Sequence, residues 1–193
     1  MPNWCMNHLE ITHSDPAKME EALIAWKSGG FLDYFIPVPY ELRCETIAGR
    51  LDWEKFSNKD HYRDIDRAIR EANKKYLGFE SWYEWRLANW GTKWDVGHAS
   101  EHGEPPELKD NVLTVSFDSA WAPPVDAYET LHEMGFQITA YYWEPGLCFG
   151  GKWEDGMDEH YPDISSENVD TIPQDLNEIM GISENLELWE QTE

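Results

Sequence analysis

The chain has 193 residues, 41% of them hydrophobic and 14% aromatic, with 15 Lys and Arg against 38 Asp and Glu for a net charge of −23. A chain of this length buries roughly two-thirds of the surface its unfolded form exposes, enough for one domain with an insertion and a tail, without a disulfide or metal staple. The composition excludes a wholly disordered chain, no stretch approaches the roughly 18 apolar residues of a spanning helix, and the N-terminus lacks the basic patch and apolar run of a signal peptide, so a cytoplasmic protein without membrane partners is expected.

From the N-terminus, Met6 to Thr12 alternates apolar and polar residues and predicts a half-buried strand. Ser14-Asp15-Pro16 predicts a helix start with Asp15 as N-cap, Met19, Leu23 and Trp26 on its apolar stripe and Gly29-Gly30 at its end. Phe31 to Leu42, with Pro37 and Pro39, reads as an extended connector. Residues 52–90 read as a helical block broken at Gly78, with Ile65, Ala68, Ile69, Ala72 and Tyr76 at helical spacing. Lys93 to His98 is expected to be a short strand and Glu101 to Glu107 a turn. Asn111 to Ser119 is a clear alternating strand, Pro123-Pro124 starts a helix through Met134, and Phe136–Trp143 with Leu147–Trp153 forms a hairpin around Glu144-Pro145-Gly146. Gly150-Gly151 inside the second arm reads as a bulge.

Without the helical block, the order is strand, helix, strand, strand, helix, strand, plus one strand. The predicted class is α+β, a ferredoxin-like split βαβ antiparallel sheet. Residues 1–153 form that domain, with a helical insertion at about 50–90. Residues 154–193 form an acidic C-terminal appendage with one short helix at 172–180 and no second core.

The charge is localised. Residues 1–93 carry 13 basic and 15 acidic side chains, whereas residues 94–193 carry only Lys109 and Lys152 against 23 acids, and 13 of those acids follow Lys152. A phosphate backbone needs a basic face, so direct nucleic-acid binding is not expected. The helical block does place Arg63, Arg67, Arg70 and Lys74 on one helix face, but Asp60, Asp64, Asp66 and Glu71 interleave with them as a solvated, paired surface. Cys5, Cys44 and Cys148 are scattered, with no CxxC pair for zinc or redox chemistry, and suit a reducing compartment.

Three tryptophan motifs stand out. The first is Pro2-Asn3-Trp4-Cys5-Met6-Asn7, the second Asn89-Trp90-Gly91-Thr92-Lys93-Trp94-Asp95, and the third Ser119-Ala120-Trp121-Ala122-Pro123-Pro124. In each, core packing by tryptophan and hydrogen bonding by the amides outweigh a recognition role. Taken together, Met-Pro-Asn-Trp-Cys-x-Asn-x-Leu-x-Ile, Asn-Trp-Gly-Thr-Lys-Trp-Asp and Ala-Trp-x-Pro-Pro resemble the YubB-like, phage Api-like family of plasmid and phage proteins, over roughly residues 1–153. The resemblance implies a ferredoxin-like domain, a mobile genetic element as source and an uncharacterised function, and it singles out Asn3, Trp4, Asn7, Trp90, Lys93, Trp94, Asp95 and Trp121 as a motif surface.

Chemistry is not evident. His98 and His102 flank Glu101 at HxxxH spacing near Asp95, but Gly97, Gly103 and Pro105-Pro106 argue against a helix, so no metal site or cofactor is expected. Glu154, Asp155, Asp158 and Glu159 lack the closing glutamate of a calcium loop, and there is no Gly-x-Ser-x-Gly and no phosphate-binding loop, so no catalytic residue is assigned. The expected function is a non-enzymatic accessory protein of a phage or plasmid that binds a basic host protein, such as a DNA- or RNA-binding defence protein, as a nucleic-acid mimic or anti-defence factor. Asp155, Asp158, Glu159, Asp163 and Asp170 are the expected contact residues. The alternative is a small hydrolase or nucleotide-handling enzyme on the same fold.

Overall fold

In the computed structural model, which describes residues 3–43, 59–97 and 105–190, the first alternating segment becomes the central strand β1 (Trp4–Thr12). Cys5, Asn7, Leu9 and Ile11 are buried on one side of it, and Trp4, Met6, His8 and Glu10 point to the other, as the two-residue period of a strand requires. Helix α1 (Pro16–Ser28) follows, with Asp15 Oδ1 accepting the Ala17 N–H at 3.0 Å and Gly29 closing it in the left-handed region. The remaining strands are β2 (Glu107–Lys109), β3 (Val112–Ala120), β4 (Gln137–Glu144), β5 (Phe149–Glu154) and β6 (Met157–Tyr161). The sheet order is β2-β3-β1-β4-β5-β6, antiparallel throughout.

The four strands β2-β3-β1-β4, with α1 between β1 and β2 and α6 (Val125–Glu133) between β3 and β4, are the ferredoxin-like arrangement read from the sequence. Both helices cover the same face. Trp26 of α1 meets Phe117 of β3 edge-on at 5.1 Å, and Tyr128 of α6 lies 5.8 Å from Trp153 of β5. Such aromatic pairs add to the stabilisation from burial alone.

Several local expectations change. The second strand is Glu107–Lys109, and residues 93–97 are irregular. The cause is visible on both segments. The Asp95 carboxylate takes the Leu32 and Val96 N–H groups at 2.7 and 2.8 Å and the Asp33 N–H at 3.0 Å, so this stretch caps a helix instead of joining a ladder. Asp110 and Asn111, with φ of 50° and 67°, make a two-residue reversal that folds β2 onto β3. The helix that Asp95 caps is α2 (Phe31–Phe35), so the connector after α1 is helical where an extended run was expected. Nor is there a bulge at Gly150-Gly151. The register runs unbroken with Tyr142 opposite Gly151 and Trp143 opposite Gly150, and a Cβ on Gly151 would overlap the Tyr142 hydroxyl. The glycines make room for two large aromatics on the neighbouring strand.

Beyond Lys152 the chain adds β6 to the sheet, a 3-10 turn (Val169–Thr171), and two helices where one was expected, α7 (Gln174–Met180) and α8 (Ile182–Glu190). Ile164, Ile172, Leu176, Met180, Ile182 and Leu186 pack with Tyr141 and Trp143 in a second hydrophobic cluster on the face away from α1 and α6. The added segment therefore docks its few apolar residues on the sheet. The aromatic residues of β4 supply the apolar surface that the acidic segment lacks.

The chain forms two compact units, Met1–Ile36 with Trp90–Glu193, and Pro37–Asn89. The second holds α3 (Tyr40–Arg43), α4 (Lys59–Leu77) and all but the last residue of α5 (Trp82–Trp90). Along α4 the half-buried line is Ile65, Ile69, Asn73 and Leu77, whereas Tyr76 is exposed. Its charges pair locally, Arg70 with Asp66 at 2.9 Å, Arg67 with Asp64 at 3.4 Å and Lys74 with Glu80 at 2.7 Å, which is the solvated face read from the sequence. Among the described residues no helix is long and apolar enough to cross a membrane.

Candidate functional site

The three tryptophan motifs, far apart in sequence, meet at one corner of the sheet. The Asn3 carbonyl accepts the Trp121 N–H at 3.0 Å, tying the start of β1 to the end of β3. Thr92, fully buried, donates its hydroxyl to the Ala120 carbonyl at 3.1 Å, tying the second motif to the same place. Gly91, at φ 79°, packs so tightly on the start of α6 that a Cβ would stand 3.1 Å from both the Pro123 oxygen and the Val125 nitrogen. Only glycine meets the conformation and the space together.

Several motif residues are spent on this construction. Trp90 is fully buried, its indole N–H donating to the Ile36 carbonyl at 3.0 Å. Asp95 holds the start of α2, and burial raises its pKa against the effect of those three backbone N–H groups. Asn7, 3% exposed, turns away from solvent and donates Nδ2 to the Cys5 carbonyl at 2.7 Å and Ser119 Oγ at 2.9 Å.

Trp4, Trp94 and Trp121 remain 45%, 39% and 47% exposed. The Trp4 and Trp94 ring centroids are 5.5 Å apart, and the Lys93 ammonium sits 4.2 Å from the Trp94 ring centre and 5.7 Å from that of Trp121. Trp121 also has φ 74°, a left-handed conformation that costs a side-chain-bearing residue about 1–2 kcal/mol. A half-exposed tryptophan in a strained position contributes little to the core. Strain of this kind collects where a side chain has a task.

Beside this corner a groove of about 510 Å³ opens on the second sheet face, with Trp4, Met6, His8, Asp118, Pro145 and Met180 among its walls. At its floor Ser116 Oγ lies 3.1 Å from His8 Nδ1, and Glu10 Oε1 lies 3.8 Å from His8 Nε2. The second distance is too long for a hydrogen bond, so the carboxylate does not orient the ring as a catalytic triad demands. Ser116 lies within β3 instead of on a sharp strand-to-helix turn with N–H groups converging on one point. This is a polar strip on an open sheet face.

The five expected contact carboxylates are all exposed along or near β6, an edge strand. Asp155, in the β5–β6 turn, accepts the Ile138 N–H at 3.1 Å and lies 3.8 Å from His132 Nδ1. Asp158 accepts the Tyr142 hydroxyl at 2.8 Å, and Glu159 the Tyr161 hydroxyl at 3.3 Å. Strand alternation sends Asp158 and Glu159 to opposite sides of β6. Asp163 follows the strand and Asp170 stands in the 3-10 turn. Behind this edge Lys152 bridges Glu154 at 3.2 Å and Asp175 at 3.3 Å, and Tyr141 donates to Asp175 at 2.9 Å. Burial alone would lower the Lys152 pKa, but the Glu154 carboxylate, the Tyr141 hydroxyl and the Asp175 carboxylate hold it above its ordinary value.

Among the described residues no group of three or more His, Cys, Asp or Glu is placed to hold a metal. Cys44, His98, Glu101 and His102 lie outside the described residues. Burial, with Glu144 adding, raises the Cys5 thiol far above its usual pKa, and burial also raises that of Cys148, so neither is an activated nucleophile. Sequence reasoning singled out the tryptophans but missed that Trp4, Trp94 and Trp121 share one surface, and it missed the groove. The only available signal was that each motif sits where an element begins or ends.

No family model matches the chain, and no curated protein matches it. Among solved structures it is similar to the crystal structure of protein api92 from Yersinia pseudotuberculosis, of family DUF1281, at 13% identity and a TM-score of 0.43, over 86% of this chain and 99% of that one. This is a distant likeness.

Proposed function

We propose that this chain is a non-enzymatic accessory protein of a phage or plasmid that binds a basic host protein in the host cytoplasm through its anionic edge. The observation that carries this reading is the charge distribution. Thirteen acids follow Lys152 without one base, and β6 with its flanking turns exposes Asp155, Asp158, Glu159 and Asp163 along one margin of the sheet, with Asp170 beyond. Such crowding is self-repulsive, and a charge that served only solubility would be dispersed. A duplex carries one negative charge per roughly 1.7 Å, so a nucleic-acid mimic needs carboxylates held densely on ordered backbone, as an edge strand holds them. A DNA- or RNA-binding defence protein has the matching basic face, which makes the chain an anti-defence factor.

The test is affinity capture from host lysate at low and at high salt, comparing the intact chain with a variant in which Asp155, Asp158, Glu159, Asp163 and Asp170 become Asn or Gln. The reading expects a nucleic-acid-binding protein to be captured at low salt, lost at high salt and lost from the variant, because screening removes attraction between exposed charges. Capture of the same protein by the neutralised variant would rule this surface out. Truncation after residue 153 is a poor substitute, because it uncovers Tyr141 and Trp143.

A further inference from the structure

The outermost strand of a sheet presents a row of backbone N–H and C=O groups that no neighbouring strand satisfies. Proteins blunt such edges by shortening them, by placing proline or a bulge in them, by charging them or by covering them. This sheet treats its two edges differently. β2 is three residues long and ends on Lys109. β6 is five residues long, contains no proline, and pairs residue for residue with β5 from Glu154 opposite Met157 to Gly150 opposite Tyr161. Among the described residues its only ladder partner is β5, and Met157, Asp158, Glu159 and His160 are all exposed. The device left to this edge is charge, and the charge has a single sign.

A guard of one sign is selective. Like charges directly opposite each other in a ladder repel, so β6 resists pairing with β6 of a second copy, whereas a strand with cations opposite the acids is stabilised. The two carboxylates keep their charge for that purpose. Asp158 and Glu159 accept from neutral groups, the hydroxyls of Tyr142 at 2.8 Å and Tyr161 at 3.3 Å. His160, on the same side of the strand as Asp158, meets the same Tyr142 hydroxyl at 3.2 Å. Lys152, opposite Glu159 in the ladder, is already shared between Glu154 at 3.2 Å and Asp175 at 3.3 Å, so the neighbourhood stays negative with its ammonium counted.

We propose that the outer edge of β6 takes an extended basic segment of a protein partner as a seventh strand. Ladder hydrogen bonds attach the segment, and the alternation of side chains dictates what it must carry. Cations stand at two successive positions, one facing Asp158 on the side of α1 and α6 and the next facing Glu159 on the other side, with an apolar residue beside Met157. The proposal rests on the reading of a basic protein partner and adds that the partner binds through backbone as well as charge.

The experiment titrates the full chain with the blocked heptapeptide Thr-Val-Thr-Arg-Arg-Val-Thr, followed by backbone amide resonances and hydrogen exchange. Two isomers of the peptide carry N-methyl groups on alternate residues, one at the odd and one at the even positions. An added strand uses N–H groups of one parity only, so one isomer is expected to bind like the parent and the other about tenfold more weakly through lost ladder bonds. The parent peptide is expected to shift the β6 amides and slow their exchange. Asp158→Asn combined with Glu159→Gln, which keeps both acceptors, is expected to weaken binding about fivefold with unchanged circular dichroism, as is a peptide with Gln in place of both arginines. Unmoved β6 amides overturn the proposal. Equal binding of the two isomers shows a charged contact without a ladder, and overturns the added strand while leaving the anionic edge intact. Full affinity in the double variant or for the Gln peptide removes the basic occupant, and a dimer of the chain with protected β6 amides assigns the edge to a second copy; either result overturns the proposal. The reading it rests on fails separately, when capture from lysate survives neutralisation of the five carboxylates.

Discussion

Under α1 and α6 the sheet presents Leu9, Ile11, Val115, Phe117, Ile138 and Trp153, all buried, whereas its opposite face divides along β1. On the β4 side of that second face Tyr141 and Trp143 are closed over by α7 and α8; on the β3 side Ser116 and Asp118 line an open groove. The same strands build both faces, so the difference lies in which residues the alternation sends outward. β4 sends aromatics and recruits a cover. β3 sends Thr114, Ser116 and Asp118, which form no apolar surface for a helix to bury. Surface available for recognition is left where the second face runs out of apolar residues.

The strongest test of this contrast removes one core side chain from each face. Trp153→Ala is expected to cost about 3–5 kcal/mol and Leu176→Ala about 2–5 kcal/mol, but the losses should differ in reach. In hydrogen exchange, Trp153→Ala should lower protection throughout β1 and β3, whereas Leu176→Ala should lower it mainly in α7 and α8. Equal loss in β1 and β3 from both variants would make the two faces one cooperative unit and end the contrast.

A smaller effect is expected at the Lys152 bridge that holds α7 to the sheet. The Lys152 pKa is raised in the folded state, so its contribution is complete below the ordinary lysine value of 10.5 and is lost as pH rises through the folded value. Asp175 has the opposite sense. Burial would raise its pKa, but the Tyr141 hydroxyl, the Leu176 N–H and the Lys152 ammonium lower it, so its contribution is present above the ordinary value of 3.8 and is lost as pH falls below it. Protection of α7 amides should therefore fall at both extremes. Lys152→Met should remove the alkaline fall at a cost of about 1 kcal/mol or less, since Asp175 is partly exposed. An alkaline fall that persists in the variant would place its cause elsewhere.

The smallest effect is expected at Trp121. Glycine relieves a left-handed strain of about 1–2 kcal/mol, offset by about 0.5–1 kcal/mol of backbone entropy and by lost ring contacts, so Trp121→Gly should leave the thermal midpoint nearly unchanged. A large drop would show that the ring supports the fold.

Much of the fold was legible because local signals agreed with the final topology. The Asp15-Pro16 start and Gly29 end of α1, the alternation of β1 and β3, and the turn at Pro145-Gly146 each act within a few residues, and each formed as read. Residues 93–97 were misread because the Asp95 carboxylate is committed to backbone some sixty residues away. The second cluster was missed because Ile164, Ile172, Leu176 and Ile182 are sparse among acids and find their apolar partners on β4. For the site, the eight motif residues were identified as a set but not sorted.

By itself the sequence determined the ferredoxin-like order of elements, the placement of negative charge in the later half and the identity of the unusual tryptophans, because alternation, capping and charge are properties of neighbours along the chain. Which tryptophans are buried and which stand exposed was decided only by the tertiary structure. Trp90 and Trp94 lie four residues apart in one motif, yet the turn at Gly91 sends one into the core and leaves the other beside Trp4. Burial depends on what packs from elsewhere in the chain, and local pattern carries no record of that.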